Sequence, residues 1–129
     1  VLANDITLDK KDGTDVVYRL VSSSPDGTRR LDIASDLALP RSLVIKHTVT
    51  GKAPSIIDRH LVQFNWAVAT LTGAATINTN LTISVPRDVA VTKAIVYDVI
   101  SNLVDLLLDQ ASTGLTTTVN IDSLLRGES

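Results

Sequence analysis

No cysteine occurs anywhere in the 129 residues, which excludes disulfides, thiolate catalysis and cysteine-ligated zinc together. Aromatic side chains are nearly as scarce. One Trp, one Phe and two Tyr leave a core that Val, Leu, Ile and Ala must fill. No unbroken apolar run approaches the ~20 residues that a membrane-spanning helix needs. The opening VLANDITLDKKDG has no basic segment followed by an apolar one, so the reading is a soluble chain with no export signal and no membrane partner. The sequon Asn80-Leu81-Thr82 then carries no meaning. Phosphate-loop, dinucleotide, zinc-protease, serine-hydrolase and EF-hand patterns are also missing, and with them the usual routes to an enzyme or a cofactor.

What is present fits one domain, residues 1–129, large enough to bury roughly two-thirds of its unfolded surface. The net charge is only −2, but it is unevenly spread. Residues 1–36 carry seven acids against five bases, and residues 88–129 carry six acids against two. Between them, residues 37–87 carry Asp58 alone against Arg41, Lys46, Lys52, Arg59 and Arg87. A basic island in an acidic chain is a possible footprint for a polyanion, although charge blocks also serve simply to solvate a face.

The first half is punctuated like a run of antiparallel strands. Asp12-Gly13 is a hairpin signal between DITL and VVYRLVS, and Pro25 and Gly27 make SSPDGT a turn. RRLDIAS is read with Leu31 and Ile33 on one face, and Arg30, Asp32 and Ala34 on the other. Pro40 precedes RSLVIKHTVT, because proline has no donor for a central ladder. RHLVQFNWAVATL and TINTNLTISVP supply two more alternating strands around a turn at TGAA. Beyond Pro86 the period lengthens to about 3.5, with Asp88 or Thr92 as cap and a stripe of Val91, Ile95, Val99, Leu103 and Leu106, widened by Val96, Ile100 and Leu107. About six strands over residues 5–86, then helices near 88–110 and 118–126, predict an α+β fold: one antiparallel sheet covered on one side by helices.

Histidines 47 and 60 fall on the apolar phase of their strands, where a satisfied or interface histidine is the plainer reading than a base or ligand. An enzyme built on His60 with Asp58 or Arg59 is the least favoured of three readings. Asp9, Asp12 and Asp15 read as a solvated acidic hairpin rather than a cation site. The polar phases are more informative. Lys46, Thr48 and Thr50, Arg59, Gln63 and Asn65, and Thr76, Asn78, Asn80, Thr82 and Ser84 all fall on one side of the sheet, with no acid among them. Bases for phosphate oxygens and amides for base edges are what a sheet facing RNA needs; a water-facing sheet is the alternative.

The series of strands, the strand ending NLTISVP, the long helix VTKAIVYDVISNLVDLLLDQ, a glycine-containing turn and a short final helix together resemble the coat proteins of single-stranded RNA bacteriophages, the leviviruses. IKHT (45–48) and DRHLVQF (58–64) are similar to the corresponding strands of some members, and the likeness spans essentially the whole chain. It implies a levivirus coat-like fold in which two subunits pair into one continuous sheet and the helices of each lie across the sheet of the other, an intertwined homodimer. Phe64, Trp66, Leu81, Ile95, Val99 and Leu103 are then expected at the dimer interface. The resemblance further implies an icosahedral shell of such dimers around single-stranded genomic RNA, forming a virion in the bacterial host cytoplasm. Carried over by position, Lys46, Thr48, Arg59, Leu61, Gln63, Asn65, Thr76, Asn78 and Asn80 fall where RNA contacts would be.

Two departures from the family limit that transfer. Better-known members place a base-stacking aromatic on the last strand, where Thr76 or a neighbour stands here, so general packaging of RNA is the expectation rather than recognition of one hairpin. The segment TLTGAAT is shorter than the usual loop, so shell size does not carry over. The other function class is a cellular dimeric sheet-and-helix module that binds RNA or protein without building a shell, distinguished by whether the purified protein makes particles.

Overall fold

The computed structural model describes residues 2–10, 12–107, 122–123 and 125–128. It contains strands β1 (Asp5–Asp9), β2 (Asp15–Ser24), β3 (Gly27–Asp32), β4 (Arg41–Thr50), β5 (Ile57–Thr70) and β6 (Gly73–Pro86), followed by helix α1 (Lys93–Leu107). The strands form one antiparallel sheet in the order β1-β2-β3-β4-β5-β6. Every strand therefore pairs with its sequence neighbour.

The turns form where local chemistry asks for them. The Asp12 carboxylate accepts a hydrogen bond from the Thr14 amide at 2.9 Å, and Gly13 takes φ +81°, a left-handed value that glycine adopts without penalty. Ser24 pairs with Gly27 across the two-residue turn Pro25-Asp26. A Cβ on Gly27 would stand 2.1 Å from the Ile45 carbonyl oxygen, so β3 can approach β4 here only because that atom is missing. Pro40 lies just outside β4, and its carbonyl accepts from the Ala67 amide at 3.0 Å.

Register decides which residues share a face. Leu43 pairs with Phe64 and Ile45 with Val62 across β4 and β5, and on β6 Thr79 and Leu81 continue those rows. Leu2, Val16, Tyr18, Leu43 and Ile45 form the buried cluster on this side, with Ile6, Val62, Phe64 and Trp66 packed against it. Tyr18 meets Phe64 edge-on at 5.7 Å, and the Trp66 indole N–H donates to the Tyr18 hydroxyl at 2.7 Å. The Arg41 guanidinium sits 4.7 Å from the Trp66 ring centre, within cation–π range. Burial of Tyr18 raises its hydroxyl above the ordinary tyrosine range.

Strand β3 reverses the phase expected of it. Arg30 pairs with Leu43 and Thr28 with Ile45, so Arg30 and Asp32 are buried on the apolar side while Ile33 is exposed. Arg30 donates to Thr28 Oγ1 at 2.5 Å and to the Ala3 carbonyl at 3.0 Å. Asp32 accepts from the Ala34 amide at 2.9 Å and from Arg41 at 3.2 Å. These partners offset the desolvation of Asp32 and part of that of Arg30, whose buried Nε has no partner among the described residues and whose pKa burial lowers.

Of the two candidate caps before α1, Thr92 takes the role. Its hydroxyl accepts from the Ile95 amide at 3.4 Å and its carbonyl from Val96 at 3.3 Å, while Asp88 closes a separate turn by accepting from the Ala90 amide at 2.8 Å. The helix thus begins at Lys93 rather than at 88; residues 108–110, the expected last turn, lie outside the described residues. Most of the expected second helix, 118–126, lies outside them too. Its described part makes one helical turn, the Arg126 amide donating to the Asp122 carbonyl at 3.0 Å. Asp122 also binds Lys93 at 3.0 Å and the Tyr97 hydroxyl, which holds this turn against α1.

Candidate nucleic-acid interface and subunit surface

The polar face is built by register. Thr48, Arg59 and Ser84 form one cross-strand row, and Lys46, Leu61 and Thr82 the next. Val44, Gln63 and Asn80 follow, then Ser42, Asn65 and Asn78, and finally Ala67 with Thr76. All nine positions expected to meet RNA therefore share one face. Lys46, Thr48, Arg59, Thr76, Asn78 and Asn80 are exposed, whereas Leu61, Gln63 and Asn65 in the central strand are half-buried.

No acid stands on this face across β3 to β6, because Asp58 pairs with Val49 and Val85 on the opposite side. Asp58 is also clamped there by two bonds from Arg87, at 2.7 and 2.8 Å, which lower its carboxyl below the ordinary range. Reading the sequence missed one base. Arg29 pairs with Val44, is exposed, and joins Lys46 and Arg59 on the polar side. The mistaken phase of β3 hid it; the signal that finds it is the pairing of β3 with β4. All four aromatic residues lie elsewhere: Tyr18, Phe64 and Trp66 on the apolar side, and Tyr97 in α1. The polar face has no ring on which a base could stack.

The apolar side is closed over one half of the sheet and open over the other. Leu8, Val16, Tyr18, Phe64, Trp66 and Ile77 line a trough of about 500 Å³. A second groove, about 400 Å³, separates β6 from α1, with Leu81, Ile83 and Val85 on one wall and Ile95, Val99 and Leu103 on the other. The stripe on α1 is divided accordingly. Val96 and Ile100 are 8% and 7% exposed, whereas Ile95 and Val99 are 50% and 63% exposed. Each of the six residues expected at a dimer interface lines one of these two concavities. Strand β6 is the last strand of the sheet, and its fourteen residues include no charge.

His47 and His60 stand opposite each other on β4 and β5, on the apolar side as their phase requires. Their Nδ1 atoms are 2.9 Å apart and His47 Nε2 is 3.2 Å from the Glu128 carbonyl oxygen. Among the described residues, no group of three or more His, Asp or Glu side chains converges to hold a metal ion.

No family model and no curated protein matches this sequence. Solved structures do match. A chain of the virus-like particle of bacteriophage AVE019 is 14% identical with a TM-score of 0.59, over 95% of this chain and 96% of that one. A chain of the virus-like particle of Beihai levi-like virus 21 is 8% identical, also at 0.59, over 100% and 98%. A chain of the virus-like particle of bacteriophage ESE020 is 18% identical at 0.56, over 100% and 99%. With its six-stranded antiparallel sheet and the helix that follows it, this chain has the fold of the subunits in levi-like RNA-phage particles.

Proposed function

We propose that the protein is a structural coat subunit, not an enzyme, whose dimers build a shell around single-stranded RNA. The observation that carries this reading is the pairing of two opposite surfaces on one sheet: a polar side that is free of acids across β3 to β6 and bears Arg29, Lys46 and Arg59 there, and an apolar side left half uncovered. A second copy laying its helix along the groove at β6 would cover Ile95, Val99 and Leu103 together with Phe64, Trp66 and Leu81. Those helix residues are already partly shielded, so each would add about 1–2 kcal/mol, enough over both protomers to make the dimer obligate. The uncharged edge of β6 supports the same arrangement, since a long unpaired edge without charge favours pairing with another strand.

Lys46, Thr48, Arg59, Leu61, Gln63, Asn65, Thr76, Asn78 and Asn80 then point toward the enclosed RNA. With three bases on the face across β3 to β6 and no ring, binding rests on phosphate contacts and amides rather than on stacking, and general packaging follows. Electron microscopy of the purified protein tests the reading directly. Closed particles that contain nucleic acid are the expected result. Dimers alone at high concentration would instead favour a binding module that forms no shell.

A further inference from the structure

We propose that single-stranded nucleic acid crosses the polar face along one diagonal, with its phosphates on Arg29, Lys46 and Arg59 and its bases turned toward Gln63, Asn65, Asn78 and Asn80. This path rests on the reading of the face as the RNA side and gives it a direction. The register draws the line. Arg29 pairs with Val44, and Lys46 stands two residues beyond Val44. Lys46 pairs with Leu61, and Arg59 stands two residues beyond Leu61 in the same direction. Each base is therefore one strand across and one same-face step along from the last. That step is about 8 Å between Cα positions, for a strand spacing of about 4.8 Å and a rise of about 6.7 Å over two residues. Arg19, opposite Leu31, continues the line backwards onto β2, but Asp5 pairs with it at 3.3 Å and neutralises that end.

Arg29, Lys46 and Arg59 are exposed, and among the described residues their charged groups have no ion pair or hydrogen bond. Successive phosphates of an extended strand are separated by a comparable step, and the long arginine and lysine stems take up the difference. Between the first two bases, the row Ser24, Gly27, Lys46 has no side chain at its centre. Ser22, Ser24, Arg29 and Lys46 surround a recess of about 540 Å³ there, which leaves room for a phosphate between guanidinium and ammonium. Asp26 lines the same recess but pairs with neither base. The acids that share the face by register, Asp5, Asp9 and Asp15, all belong to β1 and β2.

The two sides of the line differ in chemistry. All four amide side chains of the six strands fall on one side: Gln63 and Asn80 in the row of Arg29 and Val44, and Asn65 and Asn78 in the next row. Those of Gln63, Asn78 and Asn80 have no hydrogen-bond partner among the described residues, so donor and acceptor are both free for a base edge. On the other side stand the hydroxyls of β2 and of the end of β4. Two of these, on Ser24 and Thr50, already donate to the carbonyls of Gly27 and Ile57. With the phosphates held on the line, bases turned toward β5 and β6 meet amides, whereas bases turned toward β2 meet only hydroxyls.

Titrating the full-length protein, stripped of co-purified nucleic acid, with a fluorescent oligouridylate of about twelve nucleotides tests the path through the salt dependence of binding. Each phosphate contact on a single strand contributes about 0.7 to the slope of log affinity against log salt. Arg29→Gln, Lys46→Gln and Arg59→Gln should each flatten the slope by about that amount. Lys52→Gln, off the line in the connection between β4 and β5, should leave it unchanged. A wild-type slope in Arg29→Gln, or an equal loss in Lys52→Gln, would overturn the path while leaving RNA on this face. A wild type that binds no oligouridylate would overturn both. Ultraviolet crosslinking, which joins bases rather than phosphates to protein, tests the sidedness without a variant. The tryptic fragment 60–87 carries all four amides and should hold most of the crosslinked uridine, at Gln63, Asn65, Asn78 or Asn80. Crosslinks concentrated in fragments 20–29 or 47–52 would put the bases on the opposite side and overturn it.

Discussion

The two halves of this sheet carry the same kind of alternation to different ends. In β2 and β4, Tyr18, Leu43 and Ile45 are almost completely buried by the chain's own residues, whereas every residue from Leu71 to Asn80 in the β5–β6 hairpin is exposed. Helix α1 repeats the contrast, with Val96 and Ile100 inside and Ile95 and Val99 outside. The comparison teaches that alternation marks which face is apolar without saying which molecule covers it. The first half is covered by the chain's own residues; the second leaves apolar side chains such as Ile77 and Val99 exposed.

Substitutions that tell the halves apart would sharpen this contrast. Leu43→Ala removes a side chain from the closed half and should cost about 2–5 kcal/mol in urea unfolding, while Ile77→Ala in the open half should change a lone subunit by under about 0.5 kcal/mol. Similar losses at both sites in a non-associating background would erase the distinction. Next in size, Val99→Asp sets a carboxylate in the proposed subunit contact and should weaken the dimer at least about a hundredfold in sedimentation, with helix content by circular dichroism retained. An unaltered dimer would mean that the exposed side of α1 covers nothing. The smallest effect on the fold is expected from Lys46→Glu combined with Arg59→Glu. Stability should stay within about 0.5 kcal/mol, yet co-purified nucleic acid, read from absorbance at 260 against 280 nm, should fall because the new charges repel phosphate. An unchanged ratio would remove RNA from the polar side.

Much of this architecture could be read from the chain itself. Asp12-Gly13, Pro25 and Gly27, and Pro40 mark strand limits through backbone constraints that act locally, and local constraints are legible one residue at a time. The common polar face of Lys46, Arg59, Gln63 and Asn78 followed from strict alternation in three successive strands. Strand β3 was not legible in the same way. RRLDI can be placed in either phase, and the choice falls to its register with β4, where Arg30 opposite Leu43 reaches the Ala3 carbonyl. That long-range choice concealed Arg29. The histidines were placed on the correct side, but their mutual contact depends on the β4–β5 register that sets His47 opposite His60. The stripe on α1 was visible too, and its width could not say which part the chain would cover for itself.

The ladder order has a kinetic consequence. Since each strand pairs with the one synthesised just before it, most of the sheet closes through short loops, and a nascent chain can add strands one after another without waiting for distant segments. Helix α1 emerges only after all six strands. Whatever α1 seats against is therefore chosen only after its platform is complete.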